Sequence, residues 1–143
     1  MVTKNLEVTA DGKTILSTTK YKGVQRFMGN ALQKTWQETP LVSGFLKLEA
    51  SKVMKLKDEF KKENKNVTYT SIFLKLLSSA VEKHPGVNSA LIDDRIETYQ
   101  SINVGFAVGT PDELLYVPVI KNSQEKDIFE ISDEMKELVS KIM

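Results

Sequence analysis

Ile102-Asn103-Val104-Gly105-Phe106-Ala107-Val108-Gly109-Thr110, followed after a short connection by Leu115-Tyr116-Val117-Pro118-Val119-Ile120, is the stretch on which the fold turns. Both runs are rich in Val and Ile, which suit a pleated, half-buried surface, and they read as two strands, Ile102 to Val108 and Leu115 to Ile120. Gly105 and Gly109 lie inside the first strand rather than at the opening of a helix, so their spacing makes no phosphate cradle. Immediately upstream, Ala90-Leu91-Ile92 and Arg95-Ile96-Glu97-Thr98-Tyr99 flank Asp93-Asp94 as a short hairpin.

Helices surround these strands. Val24, Phe27, Met28, Ala31, Leu32 and Trp36 recur at one face of a 3.6-residue period and predict a helix from Lys22 that Pro40 stops. Leu41 to Glu49 alternates loosely and predicts a further strand. Ser51 is the expected N-cap of a second helix carrying Val53, Met54, Leu56 and Phe60, which runs out at Asn64-Lys65-Asn66. Thr70 or Ser71 is the expected cap of a third, through Ile72, Phe73, Leu76, Leu77, Ala80 and Val81, ended by His84-Pro85-Gly86. Its apolar girth predicts burial on two sides. Asp127 with Glu130 opens a last helix in capping-box spacing, bearing Ile128, Ile131, Met135, Leu138, Val139 and Ile142. No later element follows to cover that stripe, so the sequence predicts an exposed one and a fold incomplete at its C-terminus. Residues 1–20 read either as a small hairpin of Leu6-Glu7-Val8 with Thr14-Ile15-Leu16 about Asp11-Gly12, or as an extended arm. The expected architecture is a single two-layer α/β domain, residues 1–143, with a mixed sheet.

Composition narrows the partners. Twenty basic and nineteen acidic residues among 143 leave a net charge of +1, which gives no electrostatic case for nucleic acid or an anionic membrane. Lysine runs such as Lys61-Lys62 are interspersed with Asp58, Glu59 and Glu63 and read as a solvated helix face. With no cysteine, disulfides and thiolate chemistry are excluded. Met1 to Asn5 lead into a polar stretch without a signal-like apolar core, and no run approaches the roughly 18 apolar residues of a membrane span. A cytoplasmic location is expected.

Spacing alone assigns no chemistry. The single histidine, His84, has neither an orienting carboxylate nor a nucleophile in its local sequence, and reads as a helix-terminal residue. One histidine and no cysteine also argue against a metal site. Asp93-Asp94 and Asp112-Glu113 read as turn and loop residues.

Four stretches carry a family resemblance. Tyr21-Lys22-Gly23-Val24-Gln25-Arg26 with the helix to Trp36 and then Thr39-Pro40-Leu41-Val42-Ser43 is similar to the opening of the dihydrolipoyl acyltransferase catalytic domain of 2-oxo-acid dehydrogenase complexes. Tyr69-Thr70-Ser71-Ile72-Phe73-Leu74-Lys75 resembles the start of its central helix, and His84-Pro85-Gly86-Val87-Asn88-Ser89-Ala90-Leu91 the segment after it. Ile102 to Thr110 with Tyr116-Val117-Pro118-Val119-Ile120-Lys121-Asn122 resembles the family's most distinctive strand pair.

The resemblance implies a chloramphenicol-acetyltransferase-like fold, a trimer-based homo-oligomer, and acyl transfer between dihydrolipoamide and coenzyme A. The lipoyl group would be supplied by another domain, other complex components would be partners, and no metal is implied. Lys121 and Asn122 are the positions it places near the coenzyme channel. The family's base is a histidine in a His-x-x-x-Asp-Gly motif, and its oxyanion-stabilising hydroxyl lies in a Thr-Phe-Thr-x-Ser-Asn-like segment. These 143 residues contain neither, since Asn88-Ser89 stand where Asp-Gly would follow His84, so no catalytic residue is assigned. The chain is expected to be the N-terminal part of such a domain, completed by a C-terminal half. The alternative is a non-catalytic assembly or binding module with the trimer-forming half of the fold. Leu41, where many members have histidine, and Glu113-Leu114, in place of a glycine, are departures from the family pattern.

Overall fold

The computed structural model describes residues 7–111 and 114–143, which divide into two compact units, Met1–Lys47 and Leu48–Met143. In the first, Asp11-Gly12 makes the expected turn. Gly12 takes φ +83° and donates to the Thr9 carbonyl at 2.9 Å, and Val8 bridges Thr14. The pairing is a single bridge, and Leu6 lies outside the described residues. Helix α1 spans Gly23–Glu38 and ends where Thr39 donates to the Thr35 carbonyl, just ahead of Pro40. None of its residues is buried: Val24, Phe27, Leu32 and Trp36, the predicted apolar stripe, are all exposed. Tyr21 lies over Gly29, its hydroxyl where a Cβ would stand, so a larger residue there would push the exposed ring aside.

The strand expected over Leu41 to Glu49 does not form. A strand is defined by its partner's hydrogen bonds, and no ladder partner for this segment is present among the described residues. Val42 and Phe45 stand 96% and 98% exposed, so no burial holds the segment extended either.

In the second unit, α2 (Ser51–Lys62) begins one residue earlier than expected in its capping: Ala50 is the N-cap, and the Glu49 carboxylate accepts from the Ser51 amide at 3.0 Å, taking the role assigned to Ser51. Its C-terminus explains why the pattern breaks at Asn64. Asn64 takes φ +56° and donates to the Lys61 carbonyl at 3.1 Å, while Lys65 donates to Phe60 at 2.9 Å. These are the two bonds of a Schellman motif, with asparagine in the left-handed position. Helix α3 (Tyr69–Lys83) is capped by Thr68, not by Thr70 or Ser71. Ser71 donates its amide to Thr68 Oγ1 at 3.1 Å and accepts the Thr68 amide on Oγ at 3.0 Å, so the expected cap serves as the returning member of the box. Nor is α3 buried on two sides. Ser71, Ile72, Leu74 and Ser78 are buried, but Phe73, Leu76 and Leu77 remain about half-exposed.

A 3-10 turn, Pro85–Val87, leads to β1 (Ser89–Ile92) and β2 (Arg95–Thr98), an antiparallel hairpin with Asp93 at φ +51° in its turn. The two deciding runs then pair as β3 (Val104–Gly105) with β6 (Val119–Ile120), and β4 (Val108–Gly109) with β5 (Leu115–Tyr116). Partner numbers have the same sum in both ladders, so this is one hairpin in one register without a bulge. The gap falls at Pro118, whose carbonyl still accepts from the Phe106 amide at 3.1 Å but which has no N–H to return. The α/β class therefore stands. The expected mixed sheet is, among the described residues, three two-stranded antiparallel ladders.

Ile102, Val104 and Phe106 alternate inward from this hairpin and meet Ile120, Leu74, Ile131 and Met135 in the core. Helix α4 (Ile128–Ile142) supplies the last two. Its start is the predicted capping box: Asp127 accepts from Phe129 and Glu130, and Glu130 accepts from the Asp127 amide. The uncovered stripe expected on this helix is not found. Ile131 is wholly buried and Met135 nearly so, with Leu138 and Val139 packed against the same core, because α3 and the hairpin roof it over. Phe60 of α2 meets Phe129 edge to face at 5.3 Å.

Candidate functional site

The residues singled out by resemblance, Lys121 and Asn122, sit directly after β6, where the chain leaves the hairpin. Asn122 adopts the left-handed conformation (φ 49°, ψ 46°), which asparagine tolerates better than most side chains, and opens a 3-10 turn, Ser123–Glu125. Five hydrogen bonds anchor that turn. The Asn122 amide donates to Asn103 Oδ1 at 3.0 Å. The Ser123 amide and hydroxyl both donate to the Ile102 carbonyl, at 2.8 and 2.9 Å. The Ile102 amide returns a bond to Gln124 Oε1 at 3.0 Å. From α3, Lys75 Nζ reaches the Gln124 carbonyl at 3.3 Å.

Beneath the turn, Ser78 of α3 and Ser123 face each other, Oγ to Oγ at 2.6 Å, both fully buried. Ser78 Oγ also lies 2.8 Å from the Leu74 carbonyl, and no buried side-chain polar atom among the described residues lacks a partner. Two hydroxyls and a run of backbone groups thus bolt the turn to the helix behind it. Sequence reasoning missed Ser78, Ser123, Gln124 and Asn103. The one available signal was a serine at position 78, four residues after Leu74 on the apolar face of α3.

Lys121 is exposed and makes no ion pair among the described residues, which leaves its ammonium free for an anionic group. A cleft of about 420 Å³ lies beside the turn, lined by Val81, Pro85, Tyr99, Gln124, Glu82 and Glu125 among others. It carries two carboxylates and no cation, the wrong sign for phosphate. Loss of hydration first, and the Glu97 carboxylate second, raise the Tyr99 phenol above its ordinary value, so Tyr99 stays a hydrogen-bond donor through neutral pH.

His84 is the C-cap of α3, its amide donating to the carbonyls of Ala80 and Val81, each at 3.0 Å. No carboxylate hydrogen-bonds its ring among the described residues. Asn88 instead holds the mouth of the first hairpin, donating to the carbonyls of Tyr99 at 2.8 Å and Ser101 at 3.1 Å, and Ser89 meets Thr98 at 2.8 Å. Asp93-Asp94 is the hairpin turn, and Asp112-Glu113 lies outside the described residues. Groups of three or more potential metal ligands are absent among the described residues, and no helix there is long and apolar enough to cross a membrane.

This arrangement of a strand hairpin packed on two helices has a close counterpart among solved structures. A probable dihydrolipoamide acetyltransferase from Listeria monocytogenes 4b F2365 superposes with a TM-score of 0.80 at 30% identity, over 88% of this chain and 56% of that one. The fold is thus that of an α/β acyltransferase catalytic core, chloramphenicol-acetyltransferase-like. The chain belongs to the family described as 2-oxoacid dehydrogenases acyltransferase (catalytic domain), whose model matches residues 14–143. Among curated relatives, the lipoamide acyltransferase component of the branched-chain alpha-keto acid dehydrogenase complex of Bacillus subtilis (strain 168) is 31% identical over 84% of this chain. The dihydrolipoyllysine-residue acetyltransferase component of the pyruvate dehydrogenase complex of Cupriavidus necator is 31% identical over 80%. The chain spans 29% and 21% of those two proteins. Equal identity to an acetyl and a branched-chain relative means that overall likeness selects no acyl group.

Proposed function

We propose that these residues are the front part of a catalytic domain that transfers acyl groups between dihydrolipoamide and coenzyme A within a 2-oxo-acid dehydrogenase complex, and that they catalyse no transfer by themselves. The observation that carries this reading is the family match, which runs from residue 14 to residue 143 and so crosses the boundary between the two units. That continuity supports reading both units as parts of one domain. The anchored turn supports a channel role for Lys121 and Asn122: a free ammonium on a fixed backbone suits an anionic coenzyme passing the end of β6.

Thiol-to-thioester transfer needs a base for the attacking thiol and donors for the oxyanion of the tetrahedral intermediate. Losing one such donor costs about 3–4 kcal/mol of transition-state stabilisation, and a base contributes about 10²–10⁴-fold. His84 caps a helix, and no carboxylate hydrogen-bonds its ring among the described residues, which argues against that role. A C-terminal half bearing the serine segment and the His-x-x-x-Asp-Gly motif would supply both, in a trimer-based homo-oligomer with the other complex components as partners and the cytoplasm as setting.

The experiment is complementation. This chain alone should give no transfer from acyl-CoA to dihydrolipoamide above the uncatalysed rate, with or without His84→Ala. Mixed with the C-terminal part of a related acyltransferase, it should co-purify and give coenzyme-A-dependent transfer that is lost when the donor's histidine becomes alanine. In that complex Lys121→Ala should raise KM for coenzyme A several-fold and leave kcat unchanged. Turnover by this chain alone, abolished by His84→Ala, would instead make His84 the base.

One observation favours a second reading, a non-catalytic assembly module: the second unit closes its own core, α4 included. Stable folding of this chain with no association with the C-terminal part would make that module the better account.

A further inference from the structure

We propose that the cleft between the end of α2 and the start of α3 is a binding site for a phosphate group, free or borne by a small organic molecule. The cleft measures about 410 Å³, within the usual size of small-molecule sites, and is lined by Lys57, Lys61, Asn64, Lys65, Asn66 and Val67. Three lysines and two asparagines therefore line one concavity, and no acidic residue is among its lining.

The way these lysines are held is the main argument. Lys57 Nζ lies 3.9 Å from the centroid of the Tyr69 ring, and Lys65 Nζ lies 4.7 Å from that of Phe129. A ring face orients a cation without neutralising it, so the charge remains available to an anion. Among the described residues neither Lys57 nor Lys61 has a carboxylate partner, and Lys65 shares only the exposed Glu63, at 2.7 Å. The adjoining cleft over α4 contributes one acid, Asp133, which is itself paired with Lys136 at 2.7 Å.

Chain geometry sharpens this. Lys57 and Lys61 are one helical turn apart, a like-charge spacing that costs helix stability. Of the acids of α2 between them, Glu59 falls on the opposite face, and Asp58 makes no ion pair with either lysine among the described residues. The negative end of the α2 dipole accounts for Lys61 and Lys62 in its last turn, but not for Lys57 a turn earlier. The left-handed Asn64 then folds the chain back, so that Lys65 and Asn66 complete the ring begun by the helix. Lysines acting as compact point charges suit phosphate. Both nearby aromatic faces are already occupied by ammonium groups, so the site would read phosphate charge and not stack a base.

The test titrates the whole chain with adenosine 3′,5′-bisphosphate and, separately, with inorganic pyrophosphate at low salt, following backbone amide shifts by NMR. Saturable shifts centred on residues 57–67 by either probe, weakening as salt rises, are the expected result. The tighter probe tells whether the natural source is a nucleotide-borne or a free phosphate. Lys57→Glu and Lys61→Glu should each weaken binding about tenfold or more. Lys62→Glu makes the same change in net charge on another face of α2, and should stay within about twofold of the parent. A spectrum with the parent's dispersion shows that each variant is folded. No saturable shift in 57–67 with either probe, or equal weakening by Lys62→Glu, would overturn the site.

Discussion

Helix α4 buries Ile131 completely, whereas α1 leaves Phe27 and Trp36 each 75% exposed, although both helices carry an apolar stripe of the same 3.6-residue period. The difference lies in what each unit offers. In the second, α3 lies along α4, and the hairpin carrying Ile102, Val104 and Phe106 closes the other side. In the first, the described residues offer α1 a two-residue bridge and an irregular segment, neither of which is a second layer. Periodicity states which face of a helix is to be buried; it does not state by what. The exposed apolar side chains lie elsewhere: in the first unit on α1 and on residues 41–47, and in the second on the outer face of α3.

The sharpest way to break this contrast is truncation in both helices. Ile131→Ala should destabilise the second unit by about 2–5 kcal/mol in urea denaturation, since the cavity would open beside Ile120 and Leu74. Trp36→Ala should change the stability of this chain by no more than about 0.5 kcal/mol, because an exposed side chain gives up little on removal. A Trp36→Ala variant as damaged as Ile131→Ala would mean that α1 is packed in solution.

Next in size is the buried hydroxyl pair behind the turn. Ser78→Ala alone leaves Ser123 with one partner fewer in a dry setting and should cost about 1–3 kcal/mol. The same holds for Ser123→Ala, which also gives up the bond to Ile102. The double variant should cost clearly less than the two singles together, since replacing both partners by apolar groups removes the unmet hydroxyl. Strict additivity would show that the 2.6 Å contact does not couple the helix to the turn.

Smallest is the cap of α4. Asp127→Ala removes the acceptor for the Phe129 and Glu130 amides and should cost about 1 kcal/mol. Amide exchange should rise mainly in the first turn of α4, leaving the hairpin protected. Exchange rising equally in both would tie the cap to the core, not to the helix end.

Much of this protein was decided locally. Four helices, the turn at Asp93-Asp94, the Asp127–Glu130 box and the two strands about residues 102 and 120 all follow from interactions within a few residues of one another: periodicity, capping and left-handed turns. The family could be read from the sequence for the same reason, since its motifs are contiguous stretches. Other features were set only in three dimensions. Leu41 to Glu49 has the pattern of a strand but not the partner that makes one. The α4 stripe finds cover in elements dozens of residues away. Ser78 meets Ser123 across 45 residues, and Lys57 and Lys65 acquire their rings from α3 and α4. Backbone conformation answers to neighbours in the chain; burial and the pairing of charges answer to neighbours in space, and those exist only once the chain has folded.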